Sequence, residues 1–133
     1  MNNHIVVAAL AALAMGGLAG SAQAGALPAG NTAAGKAVFA AQCSTCHSAV
    51  QGQNGIGPSL YGVAGKAAAS TPGFQFSPAL KSAHIVWTDA ALDKFLKNPQ
   101  ADVPGTKMPY MGMPNAQKRA DVIAYLATLG DGK

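Results

Sequence analysis

The chain is predicted to fold as a single all-α domain whose helices are separated by long irregular segments. Three observations point there. Apolar residues recur at helical spacing behind good capping residues near both ends of the region after residue 30, no stretch of useful length alternates apolar and polar as a strand would, and glycine and proline crowd into two segments between the helical ones.

In chain order, the opening apolar run Ile5 to Leu18, followed by Gly20, Ser21 and the small-x-small triplet Ala22-Gln23-Ala24, has the layout of a secretory signal peptide cleaved after Ala24. It is shorter than the ~20 residues a membrane-spanning helix needs. Its first four residues carry no Lys or Arg, a departure from the usual basic start. Residues 25–133 then remain, enough for one domain and not two. Export places the protein outside the cytoplasm, in the periplasm of a bacterium.

Asn31 or Thr32 can cap a first helix over residues 33–42, with Ala34, Val38 and Ala41 at helical spacing. Glycines at 52, 55, 57, 62 and 65, with Pro58, argue for a loop wrapped close to a flat body, and Pro72, Gly73 and Pro78 continue the irregular stretch. Helical signal returns at Trp87, where Thr88 caps, Asp89 suits the first turn, and Leu92, Phe95 and Leu96 form a stripe ended by Asn98-Pro99. A second loop runs from Gln100 to Pro114. Asn115 caps the last helix, with Val122, Ile123, Leu126 and Leu129 as its buried side and Gly130 as its stop.

Between the first helix and the first loop stands Cys43-Ser44-Thr45-Cys46-His47. A Cys-x-x-Cys-His run reads as the attachment site of one c-type haem: two thiols add across the haem vinyl groups and the imidazole after them binds the iron. A thioredoxin-like redox motif would need a βαβ pattern around the cysteines, and a zinc site would need further Cys or His ligands at zinc spacing; neither is present. Haem also accounts for long loops in so small a domain, since it is a large apolar body for them to pack on. With aromatics at 6% of the chain, the haem-free polypeptide is expected to fold poorly.

His47 leaves the second face of the iron to be filled. Met108, on the proline-stiffened stretch Pro104-Gly105-Thr106-Lys107-Met108-Pro109, offers a soft thioether that favours reduced iron. Met111 and Met113 compete with it, as gap-filling apolar residues otherwise, and His84 would give a bis-imidazole centre. The residues alone leave these open.

The nine Lys and Arg exceed the five Asp, there is no Glu, and the net charge is +4. No Lys/Arg run longer than the pair Lys118-Arg119 appears, so the charge suits steering toward an acidic protein surface and not nucleic-acid binding.

Taken together, Gly35-Lys36-Ala37-Val38-Phe39, the Cys43 to His47 motif, Gly57-Pro58-Ser59-Leu60, Pro72-Gly73-Phe74, Pro104 to Met108 and Arg119 to Leu126 resemble the class I cytochromes c, small soluble monohaem proteins of bacteria and mitochondria. The resemblance implies the cytochrome c fold, with terminal helices packed together and loops wrapped round one haem. It puts the axial methionine at Met108, has the Pro58 carbonyl accept the ring N–H of His47, and has Trp87 and Thr106 hydrogen-bond a haem propionate. It makes Gly35, Phe39 and Tyr125 the crossing of the terminal helices. Where many relatives carry tyrosines near the haem this chain has Phe76 and Phe95, and it has Lys66 where relatives commonly have arginine.

The function implied is a periplasmic, monomeric electron carrier with no substrate chemistry of its own. Its donor would be a quinol-oxidising complex or a periplasmic dehydrogenase and its acceptor a terminal oxidase or reductase, met through Lys36, Lys66, Lys94, Lys97 and Lys107. A haem enzyme or gas-binding sensor of peroxidase type, with a displaceable sixth ligand, is the alternative.

Overall fold

The structure is a computed structural model that describes residues 25–130; the signal-peptide reading falls outside them. Among the described residues five helices follow one another: α1 (Thr32–Gln42), α2 (Pro78–Ser82), α3 (Asp89–Lys97), α4 (Pro99–Asp102) and α5 (Ala116–Leu126). Among the described residues there is no strand, only an isolated antiparallel bridge between Ala67 and Val86, and no helix long and apolar enough to cross a membrane. The architecture is the all-α one expected.

Each longer helix begins where the capping residues place it. Asn31, Thr88 and Asn115 accept side-chain hydrogen bonds from the backbone N–H groups of Ala34, Ala91 and Lys118, satisfying donors that the first turn leaves unpaired. The last helix stops at Leu126 and not at Gly130. Its end tightens into i→i+3 bonds, Thr128 N–H to Tyr125 O and Leu129 N–H to Leu126 O, before Gly130 turns the chain at φ +146°.

Two short helices were not foreseen. Ser77 caps α2, with Pro78 in its first turn, and Asn98 both closes α3 and caps α4, with Pro99 next. Proline in both places looks like a breaker, but at the first helical position its missing N–H costs nothing and its fixed φ suits the helix.

Helices α1 and α5 cross at the base of the molecule. A β-carbon at Gly35 would collide with the Asp121 carbonyl, so the two backbones meet there directly, and the rings of Phe39 and Tyr125 pack beside the crossing at 5.4 Å. Asp121 adds a polar clamp: its Oδ1 accepts the Asn31 backbone N–H at 2.8 Å and the Gln117 amide at 2.9 Å, while the same amide donates to the Ala29 carbonyl. The core continues through Leu92, Phe95, Leu96, Val103, Met113, Val122, Ile123 and Leu126. Backbone bonds between Lys66 and Trp87 and between Ala68 and Ile85 close the neck of the loop that carries α2.

Candidate functional site

Past α1 the chain keeps turning. Cys43 and Ser44 donate their backbone N–H groups to the Phe39 carbonyl, and Cys46 and His47 donate theirs to the Cys43 carbonyl, so one tight coil presents Cys43, Cys46 and His47 in succession. Both cysteines are free and half-buried. Burial, and secondarily the neighbouring Cys46, pushes the Cys43 thiol up to about 11. That is the wrong direction for a dithiol redox couple, which works by lowering a thiol into the thiolate range.

The His47 ring is held from two sides. Its Nδ1 lies 2.7 Å from the Pro58 carbonyl, which can only accept, so Nδ1 is the donor and, in the neutral ring, Nε2 is the nitrogen with the lone pair. Gly57 lies flat against the ring: a β-carbon there would stand 2.5 Å from Cε1 and 2.7 Å from Nδ1, so no other residue fits without displacing the imidazole. The loop around them is tied down by Gly57 N–H to the Cys46 carbonyl, by Asn54, which accepts the Ser59 N–H and donates to the Pro72 carbonyl, and by the Ser59 hydroxyl on the Val50 carbonyl.

Residues 104–114 form the second loop of the site. Gly105 turns it at φ +89°, and the Gln100 amide donates to the carbonyls of Thr106 at 3.0 Å and Met108 at 3.2 Å. The three methionines part company here. Met111 is 91% exposed, Met113 is 3% exposed inside the core, and Met108 is half-buried with its side chain against the core cluster. His84 is exposed at a turn with φ +51°.

Trp87 and Thr106 are both buried. Trp87 stacks on Phe95 at 5.0 Å, and its indole N–H makes no hydrogen bond among the described residues. The Thr106 hydroxyl accepts the Met108 N–H at 3.4 Å and so shapes the methionine loop. Phe76 sits edge-on to Phe74 at 4.9 Å, and Phe95 belongs to the core; neither position carries a hydroxyl. The five lysines expected at a docking surface are all exposed, but Lys94 is paired with Asp102 at 2.6 Å.

Several supporting residues lay beyond sequence reading. Arg119, 6% exposed, donates through Nε to Asp93 Oδ1 at 2.7 Å and through Nη1 to the carbonyls of Met113 and Pro114, joining α5, α3 and the end of the methionine loop. A lone arginine between apolar positions of a helix was the available hint. Asn54, Gln100 and the Tyr110–Gln42 pair carried no signal, because amide and hydroxyl partners far apart in sequence have no characteristic spacing.

The residues present fit a c-type haem. Two free thiols and an imidazole whose Nδ1 faces the Pro58 carbonyl lie on one coil, and half-buried apolar side chains of Leu60, Leu80, Ile85 and Met108 stand around the core. Fold and site together define a helical protein that binds haem covalently.

Comparison with known proteins narrows this. The cytochrome c family model matches residues 32–130. The chain is 49% identical over 100 residues to cytochrome c2 of Rhodopila globiformis, covering 75% of this chain and 94% of that protein. It is 46% identical over 102 residues to cytochrome c of Euglena viridis, covering 77% of this chain and 100% of the relative. Among solved structures, cytochrome cH from Methylobacterium extorquens superposes with a TM-score of 0.70 at 43% identity, covering 74% of this chain and 99% of that one. The chain belongs to the cytochrome c family, as a class I monohaem member with haem c attached through Cys43 and Cys46.

Proposed function

We propose that this cytochrome is a periplasmic carrier of single electrons, in which His47 through Nε2 and Met108 through Sδ would hold the haem iron. One observation carries the ligand assignment: the Pro58 carbonyl holds the proton on Nδ1 and leaves Nε2 free, while only Met108 of the three loop methionines is neither in solvent nor sealed in the core. The haem iron, when bound, supplies the Fe(III)/Fe(II) couple.

The chain's own residues do the rest. The Pro58 carbonyl fixes the imidazole's tautomer and orientation and raises its basicity, and Gly57 permits the ring to lie where it does. Gln100 and Thr106 hold the backbone on either side of Met108, so the thioether returns to one place in both oxidation states. With both His47 and Met108 holding the iron, no position would be left for substrate, which favours a carrier over a peroxidase-like enzyme or a gas sensor. The Trp87 indole N–H and the Thr106 hydroxyl would serve a haem propionate.

Residues 1–24 would act as the export signal and 25–133 as the mature domain, working as a monomer. Exposed Lys36, Lys66, Lys97 and Lys107 would steer it toward acidic surfaces on a quinol-oxidising complex or dehydrogenase as donor and an oxidase or reductase as acceptor. Salt should then slow electron transfer steeply, and a flat salt profile would count against lysine docking.

The test of the central reading is Met108→Ala in the haem-loaded protein. We expect loss of the weak sulfur-to-iron absorption band of the ferric form, a fall in midpoint potential, and carbon monoxide binding to the reduced form at neutral pH. An unaltered spectrum and potential would place the second ligand elsewhere.

A further inference from the structure

We propose that the hydrogen bond from Tyr110 to Gln42 is a latch across the mouth of the haem site, setting how often the Met108 loop opens. The Tyr110 hydroxyl donates to Gln42 Oε1 at 2.7 Å, between residues 68 apart in sequence. Gln42 is the last residue of α1, directly before Cys43, and Tyr110 lies two residues after Met108. The bond therefore joins the segment that carries the haem thiols to the segment that carries the methionine.

The loop's other attachments lie toward its two ends. Gln100 holds the carbonyls of Thr106 and Met108 at the start. At the finish, Met113 N–H donates to the Leu96 carbonyl and Arg119 holds the carbonyls of Met113 and Pro114. In between, Pro109 has no N–H, those of Tyr110, Met111 and Gly112 find no partner among the described residues, and Met111 is 91% exposed. Tyr110 is thus the one side-chain tether of the middle of this loop among the described residues, and its half-buried ring packs on the core edge beneath it. A segment pinned at both ends opens through its middle, so a single bond placed there acts on opening out of proportion to its effect on global stability.

The latch rests on Met108 being an axial ligand. The experiment uses the ferric haem-loaded protein with imidazole as the probe. At saturating imidazole the rate at which the sulfur-to-iron band disappears reports loop opening. Tyr110→Phe and Gln42→Ala should each raise that rate about fivefold, the factor one ordinary hydrogen bond supports. The double variant should be no faster than either single, and Gln42→Glu, which keeps an acceptor oxygen at the same reach, should stay near the parent. Urea midpoints should barely move. Unchanged imidazole rates, or single effects that multiply in the double variant, would overturn the latch, as would a Gln42→Glu protein as fast as Gln42→Ala. The failures are distinguishable: a parent protein with no sulfur-to-iron band refutes the Met108 assignment, whereas a band present with unmoved rates refutes the latch alone.

Discussion

The α1–α5 crossing and the 104–114 loop are held by opposite means. At the crossing, backbone meets backbone through Gly35, rings pack beside it, and Asp121 gathers the preceding segment onto α5. The loop interlocks only at its end, where a β-carbon at Gly112 would collide with the Lys97 carbonyl and Met113 is buried in the core. It is suspended from separate hydrogen bonds to Gln100, Gln42, Leu96 and Arg119, with Met111 in solvent at its tip. The difference suits their tasks: the crossing keeps the framework in one arrangement, while a ligand loop needs correct placement of one sulfur and tolerates partial opening.

Arg119 belongs to both regions, and its removal should do the most damage. Arg119→Ala leaves Asp93 without its partner and two loop carbonyls without their donor, so a loss of about 3–4 kcal/mol is expected in urea unfolding. The sulfur-to-iron band should fade at lower denaturant than the helical signal does, since the loop end is released first. Coincident loss of both would mean that the loop has no separate stability.

Gly35→Ala attacks the crossing alone. The added methyl gains about 1 kcal/mol of helix propensity but must push the helices apart at the Asp121 carbonyl, so a net loss of about 2 kcal/mol is expected with the sulfur-to-iron band retained. Loss of that band before global unfolding would break the separation between the two regions.

Asp121→Asn sharpens the contrast through pH. Hydrogen bonds from the Asn31 backbone, and then from Gln117, hold the Asp121 carboxyl below the usual carboxylate range. A lowered folded value means the carboxylate contributes stability fully above its unfolded value of about 3.9, a contribution lost as pH falls through the folded value. The gap in urea midpoint between parent and Asp121→Asn should be widest near neutrality and close below about pH 4. A gap independent of pH would show that the clamp works without its charge.

The smallest effect expected lies outside both regions. Ala69 adopts φ +58°, where a β-carbon is strained, and Ala69→Gly should stabilise by about 0.5 kcal/mol after the glycine's extra chain entropy is counted. Destabilisation in the urea midpoint would show that the Ala69 methyl earns its place by packing.

Local chemistry made much of this legible in advance. Asn31, Thr88 and Asn115 cap where their side chains can reach the next turn, and the cysteines and His47 are contiguous, so their joint presentation needs only one coil. Prolines 78 and 99 misled because a proline that ends one pattern also suits the first turn of the next. Trp87 was assigned a propionate partner by resemblance; the structure adds its stacking on Phe95 and an indole donor with no protein acceptor.

By itself, then, the sequence determined the helical class, the covalent attachment of haem and the membership of a family, because each depends on residues that act within a turn or two of one another. Tertiary structure alone decided which methionine stands half-buried, that Gly57 lies flat against the His47 ring, and that Arg119 and Tyr110 tie the ligand loop to distant helices. Those are meetings between residues separated by long stretches of chain, and only packing brings them within the few ångströms over which hydrogen bonds and steric contact operate.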